Sequence, residues 1–199
     1  MPVFTINGKN ILFIHIPKTG GMAIGAELAK AGKIRFNEGI AFGSKKVRPR
    51  HADAAVLEAI FDPSMFDLVF MVVRDPASRM MSEFRYQSRK SGAHLASLIG
   101  FDRWLAYSLA KCRNDPGYRD NHFLPQAKFH AFEATVFRYE DGLDKPMREV
   151  SGITGHDFPL FPELKNPSPP VEVVMNAKSR AAISSFFRDD FKRFGYTSS

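Results

Sequence analysis

Runs of apolar residues alternate along the chain with stretches in which apolar positions recur at helical spacing. Residues 11–16 and 67–73 are apolar at nearly every position, which is typical of strands buried on both faces of a parallel sheet. Residues 135–139 predict a third strand. Helices are predicted at residues 22–31, 52–60, 76 to about 90, 101–111, 145–150 and 176–194. Residues 36–50, rich in glycine and basic side chains, and the proline-rich residues 158–170 are predicted to be irregular.

This alternation of strands and helices predicts an α/β fold in which helices flank a mostly parallel central sheet. The chain has 199 residues, of which 44% are apolar, including 19 phenylalanines, so one full hydrophobic core can form. No internal repeat or linker interrupts the pattern, and residues 1–199 are therefore predicted to form a single domain. Sheets of this kind bind ligands beyond the carboxyl ends of their strands, where two motifs occur.

Charge and cysteine content narrow the class of protein only slightly. The formal net charge of +7 favours anionic ligands but does not choose among nucleotides, nucleic acids and acidic polysaccharides, and a merely basic surface explains it equally well. The single cysteine, Cys112, excludes an intrachain disulfide and fits a reducing compartment. The first residues lack a signal-peptide pattern, and no apolar stretch approaches the length of a membrane span. We therefore expect a cytoplasmic protein without a membrane span.

The first motif is FIHIPKTGG, residues 13–21, in which a predicted strand runs directly into a lysine, a threonine and two glycines. The glycines allow close approach of the backbone to a ligand, and the helix that follows directs free N–H groups toward it. Lys18 adds a positive charge and Thr19 a hydroxyl donor, so the segment predicts a phosphate or sulfate site. The alternative is a plain strand–turn–helix connection with an incidental lysine. The candidate anion-binding residues are Pro17, Lys18, Thr19, Gly20, Gly21, Met22 and Ala23.

The second motif is VVRDPASRMMSEF, residues 72–84. Arg74 ends the second predicted strand, and Ser82 lies inside the helix that Asp75 is predicted to cap. Arg74 and Ser82 are candidates for a second anion-binding site. Arg79 shares a helix face with Ser82, but an ion pair with a neighbouring carboxylate is an alternative role for it.

Together the two motifs resemble those of the sulfotransferases that use 3′-phosphoadenosine 5′-phosphosulfate (PAPS), most closely the branch that sulfates carbohydrate hydroxyls. Three further segments are similar to family motifs in the same order: NHFLPQ at residues 121–126, FRYEDGL at 137–143 and FFRDDFKRFGY at 186–196. The resemblance covers nearly the whole chain, and it implies the P-loop-like sulfotransferase fold.

The resemblance also implies how the donor is bound. The first motif would hold the 5′-phosphosulfate of PAPS, and Arg74 with Ser82 would hold its 3′-phosphate. The sulfuryl group would then pass to an acceptor hydroxyl by in-line displacement without a metal ion. Lys18 is expected to neutralise the charge that develops on the bridging oxygen of the departing bisphosphate. Tyr139, after the third strand, is expected to pack on the adenine ring.

The base that accepts the hydroxyl proton is left open among three residues. His51 lies between the first helix and the second strand, where carbohydrate sulfotransferases that the chain resembles have a catalytic histidine, and the pKa of histidine suits the task. Glu38 follows Lys18 by twenty residues, the interval at which other related enzymes have a catalytic glutamate. His122 is the third candidate. His15, inside the first strand, is expected to be structural.

The predicted acceptor site rests on the basic loop that contains Lys45, Lys46, Arg48 and Arg50. This loop suits an acidic or already sulfated glycan, although a solvated charged loop explains the same residues. Arg48, Arg50 and His122 are the candidate acceptor-binding residues. We expect a hydroxylated acceptor, either a glycan that can carry acidic groups or a small molecule, no nucleic-acid partner and no membrane span.

Two other functions remain open on the sequence. An ATP-dependent small-molecule kinase has a comparable loop, but a Walker A loop places its lysine after the glycines, and no carboxylate occupies a Walker B position here. A non-catalytic protein that binds acidic polysaccharide or nucleic acid explains the charge, but it does not explain Arg74 and Ser82 behind a second strand. The six histidines show no metal-binding spacing.

Overall fold

The structure, a computed structural model, describes residues 2–37, 40–42, 45–47, 49–89, 94–115, 117–161 and 173–197, with the backbone alone at 40–42, 45–47 and 94–98. The strands are β1 (Val3–Ile6), β2 (Lys9–Ile14), β3 (Lys33–Arg35), β4 (Ile40–Phe42), β5 (Lys45–Val47), β6 (Leu68–Val73) and β7 (Thr135–Arg138). The helices are α1 (Gly21–Ala31), α2 (Ala54–Ile60), α3 (Pro76–Arg89), α4 (His94–Asn114), α5 (Asp144–Thr154), α6 (Ala177–Phe186) and α7 (Arg188–Phe194).

The chain divides into two compact units. Unit 1 comprises Met1–Val73 and Lys128–Leu164, and unit 2 comprises Arg74–Ala127 and Lys165–Ser199. Unit 1 contains all the described strands together with α1, α2 and α5, whereas α3, α4, α6 and α7 belong to unit 2. The prediction that residues 1–199 form a single domain stays a prediction.

The main sheet of unit 1 has the strand order β3-β1-β2-β6-β7. β2, β6 and β7 are parallel, with Ile11 opposite Leu68 and Phe70 opposite Thr135. β1 pairs antiparallel with both β2 and β3, so β1 alone among the five strands runs in the opposite direction. A separate antiparallel pair is formed by β4 and β5. The predicted α/β class, with parallel strands at the centre of the sheet, is confirmed.

The core of unit 1 explains why β2 and β6 are apolar at nearly every position. On one face of the sheet, side chains of β1, β2 and β6 pack with those of α1 and α5, and this cluster includes Phe4, Ile11, Phe13, Phe70, Val72, Ile24, Leu28, Met147 and Val150. The alternate residues of β2 and β6, such as Leu12 and Met71, are also fully buried. Both faces of these strands are therefore shielded from water, as in other parallel sheets.

Unit 2 is built from helices around a core of its own. The core is rich in aromatic residues and includes Met80, Phe84, Phe101, Trp104, Leu105, Phe123, Ile183 and Phe187. The ring of Phe84 lies edge-on to Trp104, with their centroids 5.2 Å apart. α4 consists of two helical segments, because Gly100 has a non-helical φ of 73° and ψ of 169°.

Some predictions of local structure are wrong. Residues 36–50 contain β4, β5 and a 3₁₀ turn at Pro49–His51 rather than a fully irregular loop. The predicted closing helix is two helices, because the chain leaves the helical conformation at Phe187, where φ is −102° and ψ is 24°. β1 and β3 were not predicted at all; all three residues of β3 are exposed, so it shows no apolar alternation. Most of the proline-rich segment lies outside the described residues.

Candidate functional site

The first motif forms a tight turn between β2 and α1 in unit 1. Lys18 has a φ of 71° and Gly20 a φ of 83°, so both residues lie in the left-handed region. For a residue other than glycine this conformation costs about 1–2 kcal/mol, and such costs are concentrated at functional sites. Thr19 is fully buried, and its hydroxyl donates to the carbonyl oxygen of Ile16 at 2.9 Å. The hydroxyl proton of Thr19 therefore closes the turn rather than serving an anion.

The start of α1 supplies backbone donors beside this turn. The N–H groups of Ala23 and Ile24 donate to the carbonyl oxygen of Gly20, at 3.0 and 3.4 Å. By helix geometry, the N–H groups of Gly21 and Met22 before them have no acceptor within the helix, and they carry the positive end of its dipole. A helix start of this kind, next to Lys18, is suited to an anion.

Gly20 is in close contact with the segment that follows β7. A Cβ atom at Gly20 would lie 2.9 Å from Leu143 Cδ1 and 3.2 Å from Tyr139 Cε2, so only glycine fits at this distance with a positive φ. The aromatic ring of Tyr139 is thus in contact with the turn. Its expected role, packing on the adenine ring, stays a prediction.

Gly21 leaves room for a histidine from the strand end. A Cβ atom at Gly21 would overlap Cδ2 and Nε2 of His15 and lie 3.0 Å from its Cγ. His15 is buried, and its ring stacks on Phe13 with centroids 5.5 Å apart. The ring of His51 meets His15 edge-to-face at 5.1 Å, with an interplanar angle of 85°. The structure therefore brings His51 next to the first motif through His15.

The 3₁₀ turn that carries His51 also carries Arg50. The guanidinium of Arg50 donates to Asn37 Oδ1 at 3.1 Å and lies 3.4 Å from the sulfur of Met22, which is 66% exposed in the first turn of α1. Of the four basic residues predicted for the acceptor site, Arg50 is therefore beside the helix start.

Several predicted site residues fall where the structure gives no side chain. Glu38 and Arg48 lie outside the described residues, and only the backbone of Lys45 and Lys46 is described. The choice between His51 and Glu38 as the base stays a prediction.

In unit 2, Arg74 is bound through its backbone. Its N–H donates to Gln126 Oε1 at 2.9 Å, and its carbonyl oxygen accepts from Gln126 Nε2 at 2.7 Å. Asp75 then caps α3, as predicted, by accepting from the N–H of Ser78 at 2.7 Å. Ser82 is half-buried in the second turn of the same helix. Arg74 therefore lies just before α3 and Ser82 in its second turn, and their pairing on a 3′-phosphate stays a prediction.

Arg79 has a structural environment. It is fully buried, and its Nη2 donates to the carbonyl oxygens of His122 and Leu124, at 2.8 and 3.0 Å. Burial lowers the pKa of its guanidinium, while the charges of Asp190 and Glu83 act in the opposite direction. The guanidinium of Arg79 thus binds the backbone at His122 and Leu124. The buried carboxyl groups of Asp190 and Glu83 are its electrostatic partners.

His122 is oriented by a chain of buried polar groups. Its Nδ1 lies 2.8 Å from Glu83 Oε2, and the other carboxylate oxygen of Glu83 accepts from Gln87 Nε2 at 2.6 Å. Gln87 Oε1 in turn accepts from the indole N–H of Trp104 at 3.1 Å. The side chain of His122 is 17% exposed and that of Glu83 is 1% exposed. A carboxylate at Nδ1 fixes the ring orientation of a histidine, so His122 has the setting of a positioned group.

Sequence reasoning missed the partners that position these residues. Glu83, Gln126 and Asp190 were not among the predicted site residues, although each lies in a segment that carries the family resemblance or borders one. The available signal was a carboxylate or amide in an otherwise buried position, which needs a hydrogen-bonding partner.

Within the part of the chain that the structure describes, no group of three or more His, Cys, Asp or Glu residues is arranged to hold a metal ion. No described helix is both long enough and apolar enough to cross a membrane.

Comparison with known proteins bears on the whole chain. Neither the curated proteins nor the solved structures gave a significant match. The family model described as Sulfotransferase family matches residues 2–197, which include both motifs and all the elements above. The predicted strand–turn–helix at the first motif is present, and Arg74 directly follows β6, whereas the roles of Lys18 and Arg74 stay predictions. The chain belongs to the sulfotransferase family.

Proposed function

We propose that this protein transfers a sulfuryl group from PAPS to the hydroxyl of a carbohydrate-type or small hydroxylated acceptor. The observation that carries the proposal is the set of contacts in unit 1 around the first motif. Lys18 and the start of α1 form a turn suited to an anion, and Gly21 admits His15, whose ring contacts His51. An anion-binding turn beside a side chain that can accept a proton is suited to sulfuryl transfer to a hydroxyl.

The proposed step is an in-line displacement at sulfur. The acceptor oxygen forms a bond to sulfur while the bond from sulfur to the bridging oxygen of the 5′-phosphate breaks. The electron pair of that bond stays on the bridging oxygen, and adenosine 3′,5′-bisphosphate leaves. The ammonium group of Lys18 and the N–H groups at the start of α1 stabilise the charge on the leaving group. The hydroxyl proton passes to the base.

His51 is our choice for that base because its ring is in contact with His15 at the first motif. Glu38 remains the first rival on its spacing from Lys18. His122 is the second rival, and its contact with Glu83 supports a positioned role for it in unit 2. A matched set of substitutions at the three positions distinguishes them, since removal of the base lowers turnover without weakening the binding of PAPS.

The remaining donor contacts follow from the family motifs. We assign the 3′-phosphate to Arg74 and Ser82 and the adenine ring to Tyr139. For the acceptor, the net charge of +7 and the position of Arg50 beside Met22 support a glycan that carries acidic groups. Arg48 and His122 are proposed as further acceptor contacts. A cytoplasmic location is part of the same proposal and rests on the single cysteine.

The test is a transfer assay with PAPS labelled in its sulfuryl group and a panel of acceptors. The panel comprises desulfated glycosaminoglycan oligosaccharides, neutral sugars and simple phenols. We expect label in at least one acceptor together with one equivalent of adenosine 3′,5′-bisphosphate. Transfer of the γ-phosphate of ATP to the same acceptors, with no use of PAPS, would instead show a kinase.

Two substitutions at Lys18 supply matched controls for this assay. Lys18→Ala and Lys18→Gly both remove the ammonium group, and each should lower turnover by on the order of 10²–10³. Lys18→Gly also relieves the positive φ of 71°, so it should melt at or above the temperature of the wild type. A loss of turnover in Lys18→Gly cannot be attributed to a weakened fold, because this variant should be at least as stable as the wild type. Turnover near the wild-type value would instead remove Lys18 from the mechanism.

A further inference from the structure

Gln126 is paired with the backbone of Arg74 as a neighbouring strand would be. Its side-chain oxygen accepts from the N–H of Arg74 at 2.9 Å, and its side-chain nitrogen donates to the carbonyl oxygen of Arg74 at 2.7 Å. Gln126 is fully buried, so these bonds are shielded from water. Because both polar groups of Arg74's main chain are bound by one rigid amide, the direction in which its side chain leaves the backbone is restricted.

Gln126 is itself fixed by a buried carboxylate on α7. Asp190 accepts from the backbone N–H of Gln126 at 2.9 Å and from that of Ala127 at 2.8 Å, and its Oδ2 lies 3.4 Å from Gln126 Nε2. Asp190 is fully buried. Arg79 binds the same segment through the carbonyl oxygens of His122 and Leu124. The segment that carries Gln126 is therefore bound by a guanidinium group and by a carboxyl group.

Such a network is costly to bury. Desolvation raises the pKa of the Asp190 carboxyl despite the opposing charge of Arg79 and three hydrogen bonds from Gln126 and Ala127. When the cost of desolvating a buried ionisable group is set against its hydrogen bonds and ion pairs, the group contributes little net stability. Its better-attested use is to specify one geometry. The groups that this network holds are the amide of Gln126 and, through it, the main chain of Arg74.

We propose that Gln126 and Asp190 are positioning residues that set the contact of Arg74 with the 3′-phosphate of the nucleotide. This inference rests on the proposed function, which assigns that phosphate to Arg74. A charge-assisted contact to phosphate depends strongly on the direction of the guanidinium. Loss of the Gln126 amide should therefore weaken recognition of the 3′-phosphate while leaving the rest of the nucleotide bound as before.

The test compares two nucleotides by calorimetric titration of the full chain. Adenosine 3′,5′-bisphosphate has the 3′-phosphate and AMP lacks it, so the ratio of their dissociation constants isolates this group. In Gln126→Met, which has a side chain of similar length but no amide, we expect the preference for the bisphosphate to fall roughly 10-fold. The affinity for AMP should stay within about 3-fold of the wild type, since a merely structural role would weaken both nucleotides.

Gln87→Met is the matched control. Gln87 is also a buried glutamine of unit 2, but its two bonds go to Glu83 and Trp104. It should lose comparable stability and keep the wild-type preference. Asp190→Asn should lower the preference less than Gln126→Met does, because an asparagine oxygen still accepts from one of the two N–H groups. If Gln126→Met does not fold, Gln126→Asn, whose amide is one methylene too short to bind both groups of Arg74, gives the same comparison.

The outcomes separate the two levels of the proposal. A wild type with no preference for the bisphosphate contradicts the proposed function itself. A wild type that prefers the bisphosphate, together with a Gln126→Met variant that keeps this preference, overturns the positioning role alone. An equal loss in Gln126→Met and Gln87→Met also overturns it, because the effect would then be one of stability.

Discussion

Substitution of Gly21 by alanine tests the contact that links the first motif to the histidine pair. The added Cβ would overlap Cδ2 and Nε2 of the His15 ring, whereas ordinary contacts of a Cβ begin at 3.4 Å. The ring has little room to move, because His15 is 6% exposed as a residue and its ring stacks on Phe13 and contacts that of His51. Either the ring must turn away or the start of α1 must move, by on the order of 1 Å.

The expected cost follows from these contacts. Overpacking of a buried site costs about 1–3 kcal/mol. The gain from replacing glycine in a helix is at most about 1 kcal/mol. The net loss is then up to about 3 kcal/mol, which corresponds to a fall in melting temperature of up to roughly 12 °C for a chain of this length. Turnover should fall as well, since a displaced His15 ring moves His51.

Gly25→Ala is the control for this measurement. Gly25 lies in the same helix, and a Cβ there would meet nothing within 4 Å. Because alanine has a higher helix propensity and meets no clash here, this variant should be more stable by about 0.5–1 kcal/mol. Its melting temperature should therefore lie slightly above that of the wild type. Differential scanning calorimetry of both variants isolates the effect of His15.

A double-mutant cycle with His15→Ala completes the test. Removal of the ring should make room for the alanine, so Gly21→Ala should cost less in the His15→Ala background, with a coupling of about 0.5–3 kcal/mol. The reasoning is refuted if Gly21→Ala melts at the same temperature as Gly25→Ala. It is also refuted if the effects of Gly21→Ala and His15→Ala on stability are simply additive.

Two further predictions concern the base and the surface of unit 1. His51→Ala should lower kcat by on the order of 10²–10⁴ in steady-state kinetics while leaving calorimetric affinity for adenosine 3′,5′-bisphosphate unchanged; if Glu38→Ala shows this pattern instead, the two roles must be exchanged. Asp67→Asn should lower the melting temperature at neutral pH, because the hydrogen bond from Lys9, followed by that from the N–H of Asn10, lowers the pKa of the Asp67 carboxyl below its ordinary 3.8. Because the pKa of Asp67 is lower in the folded chain, its contribution to stability is complete above pH 3.8 and is lost as pH falls through the lowered pKa. The difference in melting temperature from the wild type should therefore shrink below pH 3.8 and vanish below the lowered pKa. A difference that grows in acid would contradict this assignment.

The sequence predicted those parts of the fold whose signal is local. β2 and β6 are buried on both faces, so their apolar runs are distinctive. β3 is an exposed strand of three residues that exists only by pairing with β1, and such pairing leaves no periodic trace. The break between α6 and α7 was missed because Ile183 and Phe194 fit one helical face in sequence as well as they fit two short helices.

The site shows the same division between local and distant information. The turn at Lys18 could be predicted because strand, glycines and helix follow one another in the chain. The partners of Arg74 could not, because Gln126 lies 52 residues from it, and Asp190 lies 64 residues from Gln126. His15 was expected to be structural, and it is indeed buried. Its contact with His51 joins two segments that nothing in the pattern connects.

The central claim, that the nucleotide is a PAPS-type donor, is tested most directly by thermal melting with nucleotides, because no acceptor is needed. Adenosine 3′,5′-bisphosphate at about 100 times its Kd should stabilise the fold by about 2.7 kcal/mol. For a chain of this size the melting temperature should rise by roughly 5–10 °C. AMP and ATP should raise it far less, with or without Mg²⁺, and Arg74→Ala should remove most of the shift. An equal or larger shift with Mg²⁺ and ATP, and none with the bisphosphate, would contradict the account and favour a kinase.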